Sequence, residues 1–380
     1  MSRDLVRPRY GVDTLADVLP SVLAALGVPG APDPLGLSAR LGGARSVALL
    51  LVDGLGSVPL GLAAPVAPTL ADLAREARTL TAGFPSTTPT SLVSIGTGAP
   101  PGAHGVLGFT VRLPGTTRVL NHIEWRTDPD PDRWQPVPTR FQQAAAAGVA
   151  VSVASRGAFE GSGLTVGAYR GAAYLPADDP DALVTQMLCG LAAGPPALVY
   201  GYHADVDGAG HVYGLDSAQW RAAVAGVDRL VARLVERLPP DAALLVTADH
   251  GMVDVPPDHR VDADAHPGLR SGVEVIAGEP RVRYLHTVPG ARADVMAAWR
   301  AVLGDRAWVA SRDEVVAAGW FGPVAVGHLA RIGDVVVACH GSHVVLGSRT
   351  EPATVGRLVG YHGSYTSAEM RVPLIVVPGR

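Results

Sequence analysis

From Ser46 to Val52 the chain runs without a charge, nearly all aliphatic, and then stops at Asp53-Gly54. A stretch so short and so apolar has no polar face to offer water, so it reads as a strand buried on both sides, as at the centre of a parallel sheet. Val149 to Ala154, Ala197 to Tyr202, Ala243 to Thr247 and Val372 to Val377 repeat the pattern, with helical stretches such as Ser217 to Leu238 between them. Parallel strands need such crossovers, and the sum is an α/β fold: a doubly wound, mostly parallel central sheet flanked by helices. Open sheets of this kind bind ligands at the carboxyl ends of their strands, where Asp53 stands.

The remaining segments are placed around that sheet. Residues 1 to 44 carry a helical pattern (Leu15, Val18, Leu19, Val22, Leu23) and a Gly/Pro-rich connection, which reads as a covering segment. Phe109 to Trp125 alternates around Pro114-Gly115 and predicts a hairpin over the site. After Met252 come Gly272 to Ile276, Arg281 to His286, a helix near Arg292 to Leu303, and Trp308-Val309 with Glu314 to Ala318. We expect a small α+β insertion over 254–333 within a catalytic domain of 1–253 and 334–380, the main sheet resuming at Asp334 to Ala338 and His343 to Leu346.

Composition excludes several functions. A net charge of -4 gives no electrostatic case for nucleic acid or a membrane surface. All 31 basic residues are arginine, so neither a P-loop lysine nor a Schiff-base lysine is present. Cys189 and Cys339 lie in unrelated contexts and suggest no disulfide or thiolate metal site. Met1 to Tyr10 leads into no apolar segment and no window is apolar enough to span a bilayer, so a soluble, cytoplasmic protein is expected.

Chemistry first suggests itself at Gly83-Phe84-Pro85-Ser86-Thr87-Thr88-Pro89-Thr90-Ser91. A hydroxyl residue before proline, ahead of Leu92, Val93 and Ile95, reads as a helix start with Thr88 as N-cap and Pro89 as the first helical residue. Helix N-termini attract phosphoryl oxyanions, and a threonine placed there is a candidate nucleophile. Thr87 is the alternative should the helix begin one residue earlier. An unaided threonine hydroxyl is a poor nucleophile and needs a base or a metal.

Three further runs offer metal ligands: Asp207-Gly208-Ala209-Gly210-His211, read as a tight loop; Asp249-His250-Gly251-Met252 directly after a strand; and His362-Gly363-Ser364 ahead of the last strand. Each alone is an ordinary loop pair. With Asp53 they place three carboxylates and three imidazoles at the ends of one sheet. Mixed oxygen and nitrogen ligands without thiolate suit zinc, or manganese or iron, better than calcium or magnesium. Six such ligands and a threonine oxygen fill two sites with room for substrate oxygens.

This order of motifs resembles the alkaline phosphatase superfamily, most closely its nucleotide pyrophosphatase/phosphodiesterase branch. The resemblance implies a two-zinc hydrolase that cleaves a phosphodiester or pyrophosphate bond of a small-molecule phosphate ester, possibly a nucleotide, through a phospho-threonine. It implies Asp207, His211 and His362 at one zinc, and Asp53, Asp249, His250 and Thr88 at the other, with Thr88 the nucleophile. Ser91 falls where the branch's Thr-Phe-Pro-Asn has asparagine, which makes it a candidate phosphate donor; Phe109 and Trp125 are candidates for an aromatic wall. His203 and Asp205 are expected to orient ligands, His104 to structure its loop, and His340 and His343 to stand apart. Phosphomonoesterase and phosphonate hydrolase are the alternatives on the same scaffold, the former disfavoured because no arginine is visibly placed for a dianion. A non-catalytic relative is disfavoured because no ligand is missing.

Overall fold

The computed structural model describes residues 5–41 and 43–379. Among these, the largest sheet has seven strands in the order Arg78–Thr81, Arg371–Val377, Ala242–Thr247, Ser46–Val52, Ala197–His203, Ala150–Ser155, Ala173–Pro176. Only Arg371–Val377 runs against its neighbours, so the sheet is mostly parallel, as the apolar runs require. Ser46–Val52 is buried throughout. The two edge strands, Arg78–Thr81 and Ala173–Pro176, were not expected; they are short and half exposed, and leave little apolar pattern.

Crossover helices cover the faces. Ala218–Glu236 shows how: Trp220, Val224, Val227, Leu230, Val231 and Leu234 recur at helical spacing and are buried, while the opposite face is polar. At the amino terminus Val18–Ala25 forms the expected helix, its Val18, Leu19, Val22 and Leu23 fully buried. Register does the rest. Ser46–Val52 pairs Val52 with His203 and Leu51 with Thr247, so Asp53, the residues after His203 and the Asp249-His250 pair emerge at one edge.

A second, antiparallel sheet of four strands follows, ordered Val273–Glu279, Val282–Thr287, Val335–Cys339, Ala307–Ser311, with the helix Arg292–Leu303 against it. One expectation fails here. Val335–Cys339 does not return to the main sheet but lies in the middle of the second, and Val344–Leu346 pairs with Arg260–Asp262. The second layer thus reaches past residue 333. The reason is that Val336 and Ala338 face the main core while Val335, Val337 and Cys339 face a smaller one around Trp299. Burial on both faces gives this antiparallel strand the uniform apolar composition of a central parallel one.

The hairpin Thr110–Arg112 with Val119–Asn121 forms as expected and docks on the second sheet. Phe109 N donates to Glu279 Oε2 at 2.7 Å and Thr110 Oγ1 to Gly278 O at 2.7 Å.

Candidate active site

Asp53 follows its strand immediately, and Gly54 turns the chain away with φ +73°. A Cβ on Gly54 would stand 3.0 Å from Cα of Asp207, so the two acidic elements approach closely only because this residue is glycine. Asp207 and His211 lie not on a loop but on the helix Asp205–Tyr213. Spaced i, i+4, they share one face, with His211 Nε2 3.4 Å from Asp207 Oδ2. The glycines there suggested irregular backbone; instead Gly210 makes room, since a Cβ on it would meet Met252 Sδ at 2.5 Å.

The helix expected after Gly83–Thr87 spans Thr88–Thr97, with Thr87 as the extended N-cap. The start is one residue earlier than the sequence suggested. Thr87 is nevertheless not the hydroxyl that faces the acids: it is fully buried and its Oγ1 has no partner. Thr88 Oγ1 lies 3.2 Å from His250 Nε2 and 3.5 Å from Asp53 Oδ2. Ser86, which sequence reasoning passed over, ties this loop to the histidine at 362. It donates from its backbone N to Gly363 O (2.9 Å) and from Oγ to Ser364 O (2.7 Å), and its own carbonyl engages His362 Nδ1 (2.9 Å).

The six acid and imidazole groups converge. Ligand atoms of Asp53, Asp249 and His250 lie within 4.8 Å of one another, as do those of Asp207, His250 and His362. His250 therefore sits between the two groups, stacked on His362 with ring centroids 3.5 Å apart. All three imidazoles turn Nδ1 to a backbone carbonyl: His211 to Gly360, His250 to Gly251 and His362 to Ser86. Donation from Nδ1 leaves Nε2 as a lone pair aimed inward, the tautomer a metal needs. Asp53 Oδ1, Asp207 Oδ1 and Asp249 Oδ2 are buried without hydrogen-bond partners. Three orphaned carboxylate oxygens beside three inward lone pairs fit bound cations.

The electrostatics point the same way. Burial, then the neighbouring charges of Asp249 and Asp207, push the Asp53 carboxyl well above its usual range. Burial, then His250 and His211, hold His362 well below the usual imidazole value, so it stays neutral. Divalent cations would relieve the carboxylate repulsion and use the neutral imidazoles.

A family model described as type I phosphodiesterase/nucleotide pyrophosphatase matches residues 47–365, which takes in every residue of this cluster. The chain belongs to that family. No curated protein matches it. Among solved structures it resembles murine ectonucleotide pyrophosphatase/phosphodiesterase 5 (18% identity, 86% of this chain and 87% of that one, TM-score 0.70). An inactive variant of that protein, in complex with AMP, matches at 17% identity, 88% of each chain and TM-score 0.72. Phosphonoacetate hydrolase from Sinorhizobium meliloti 1021, in complex with phosphonoformate, matches at 20% identity, 88% of this chain and 90% of that one, TM-score 0.68. The mostly parallel α/β architecture is common to them.

In this phosphodiesterase-family chain Thr88, Asp53, Asp207, His211 and His362 open into a cleft of about 640 Å³, whose walls include Phe109, Ile123, Tyr213 and Leu358. Phe109 is thus at the site. Trp125 is not: it is 1% exposed, packs against His122 and Trp134, and donates to Pro129 O, while Ile123 takes the rim. Ser91 is also withdrawn, fully buried with Oγ donating to the Asp249 carbonyl at 2.8 Å. At i+3 from Thr88 on the helix, it turns to the adjoining strand end and away from the cleft. Two cleft residues had no sequence signal: Tyr202, whose hydroxyl donates to Asp53, and Arg156, which pairs with Asp205. Tyr202 thus contacts Asp53 directly, while His203 and Asp205 reach each other at 3.6 Å. An arginine does therefore line the cleft. His104 holds Ser94 and the Val106 N–H, and His343 stacks on His259, both outside the cluster. No helix among the described residues is long and apolar enough to cross a membrane.

Proposed function

We propose that this chain is a two-zinc hydrolase, manganese or iron being the other metals its ligands suit, that cleaves phosphodiester or pyrophosphate bonds through a phospho-threonine. What carries the reading is the Thr88 hydroxyl, at the mouth of a helix N-terminus, within 3.5 Å of Asp53 and His250 and open to the cleft. Asp53, Asp249, His250 and the Thr88 oxygen would hold one ion, and Asp207, His211 and His362 the other, with His250 near both groups. When bound, such ions supply Lewis-acid stabilisation of the attacking and leaving oxygens. Thr88 Oγ1 forms the new P–O bond as the leaving oxygen departs with its electron pair, and the threonine proton is lost to the cleft. Water then attacks the phospho-threonine, releases phosphate monoester and restores the hydroxyl. The positive end of the helix favours the anionic centre throughout. Tyr202 keeps the Asp53 carboxylate oriented, and Phe109 with Ile123 and Leu358 keeps the organic part of the substrate out of water.

Phosphonate or phosphomonoester hydrolysis is the second reading, favoured by Arg156 in the cleft and by the likeness to phosphonoacetate hydrolase. Elemental analysis of the purified protein should find close to two zinc ions per chain. Turnover of bis-p-nitrophenyl phosphate should exceed that of p-nitrophenyl phosphate; the reverse order would select the second reading.

A further inference from the structure

The chain contains no lysine, so recognition of a substrate anion by a permanently charged side chain falls to arginine. Among the described residues lining the cleft only Arg156 is of that kind, and it shares the lining with Asp53, Asp205 and Asp207. Phe109, Ile123, Ala209 and Leu358 offer an anion nothing, and Tyr202 and Tyr213 offer only neutral hydroxyls.

Arg156 is launched from a fixed point. It directly follows the strand Ala150–Ser155; Tyr174 Oη donates to its carbonyl at 2.7 Å, and the next N–H, of Gly157, donates to Asp178 Oδ1 at 2.9 Å. Its side chain is 46% exposed and paired with Asp205, itself 45% exposed. Asp205 opens the helix that carries Asp207 and His211, so the pair holds the guanidinium at the start of that helix, in the lining of the same cleft. An ion pair this exposed contributes little net stability and exchanges readily for a better anion. On release Asp205 still has His203 Nε2 at 3.6 Å. A planar guanidinium so placed suits bidentate binding of phosphate or carboxylate.

We propose that Arg156 is a specificity-determining residue that recognises a second anionic group on the substrate, phosphate or carboxylate, beyond the phosphoryl group that Thr88 attacks. The inference rests on the phosphoryl-transfer reading above. It is tested with p-nitrophenyl phenyl phosphate and two analogues bearing a carboxylate or a phosphate on the phenyl ring. In Arg156→Met, KM for at least one charged analogue should rise ~10-fold relative to the uncharged one, with kcat little altered, and Arg156→Lys should recover part of the loss. Which analogue responds identifies the anion. Equal changes across all three substrates would overturn the proposal. If the wild-type protein turns over none of them, the catalytic reading fails and Arg156 is judged by calorimetry alone. Pyrophosphate and phosphonoacetate should then lose affinity in Arg156→Met relative to orthophosphate, and parallel losses would reject the site.

Discussion

Thr88 Oγ1 stands 3.2 Å from Nε2 of His250, whose other ring nitrogen is already engaged with the Gly251 carbonyl. Its neighbour Thr87, although it occupies the N-cap position, has its hydroxyl buried and makes no capping bond. Thr88→Ala should therefore abolish turnover, while metal analysis still finds an ion at Asp207, His211 and His362. Thr87→Ala should retain activity. Loss of activity in the second variant alone would move the nucleophile by one residue.

Ser91 donates to the carbonyl of Asp249 and sees no solvent. Ser91→Ala should cost ~1 kcal/mol of stability, read as a shift in the denaturation midpoint, because a buried carbonyl loses its donor. Ser91→Asn should lower both stability and diesterase kcat/KM by overfilling the space behind Asp249. A gain in kcat/KM for Ser91→Asn would show that the side chain reaches substrate after all.

The contrast between Ser91 and Asp53 shows what was legible in the sequence. Asp53 could be placed because a fully apolar strand fixes where its last residue emerges, and Asp249 and His250 follow the same logic. Ser91 was misplaced because its position in a motif does not say which way a helix faces; only its contact with the turn after Ala242–Thr247, where its hydroxyl meets the Asp249 carbonyl, decides that. Tyr202 and Arg156 left no trace, since a tyrosine at the end of one strand and an arginine after another become neighbours only through sheet order. Val335–Cys339 shows the converse failure, a segment expected to resume the main sheet that lies in the second one, because burial on both faces gives it the composition of a central parallel strand.

Glu279 grips the Phe109 N–H with one oxygen while the other is buried without a partner, and burial raises its carboxyl from 4.5 to about 8. Between those values the unfolded chain releases a proton that the folded protein keeps, so stability present at low pH is lost as pH rises through the window. Glu279→Gln cannot titrate and keeps an acceptor for Phe109. Its Tm relative to wild type should climb from pH 4.5 to about 8 and then level off. A difference independent of pH would mean that Glu279 is ionised in the fold.

Arg281 and Glu369 form a fully buried ion pair through two hydrogen bonds of 2.8 and 2.6 Å. The same carboxylate receives the Ser364 N–H, and the Glu369 carbonyl receives that of Gly251, so one residue braces the loops that carry His362 and His250. Arg281→Met should destabilise the protein by ~3–5 kcal/mol because it strands a buried charge. Arg281→Met combined with Glu369→Gln should recover part of that loss in the same denaturation assay; a double variant no better than the single would show that the guanidinium acts through packing alone.

Val335–Cys339 gives alternate side chains to two cores. Such a strand works as a shared wall: no hinge can run along it, because swinging the outer layer away would extract Val336 and Ala338 from the inner one. The outer layer is thereby tied to the inner core along its whole length, and the cleft opens beside the short hairpin that Phe109 and Ile123 flank.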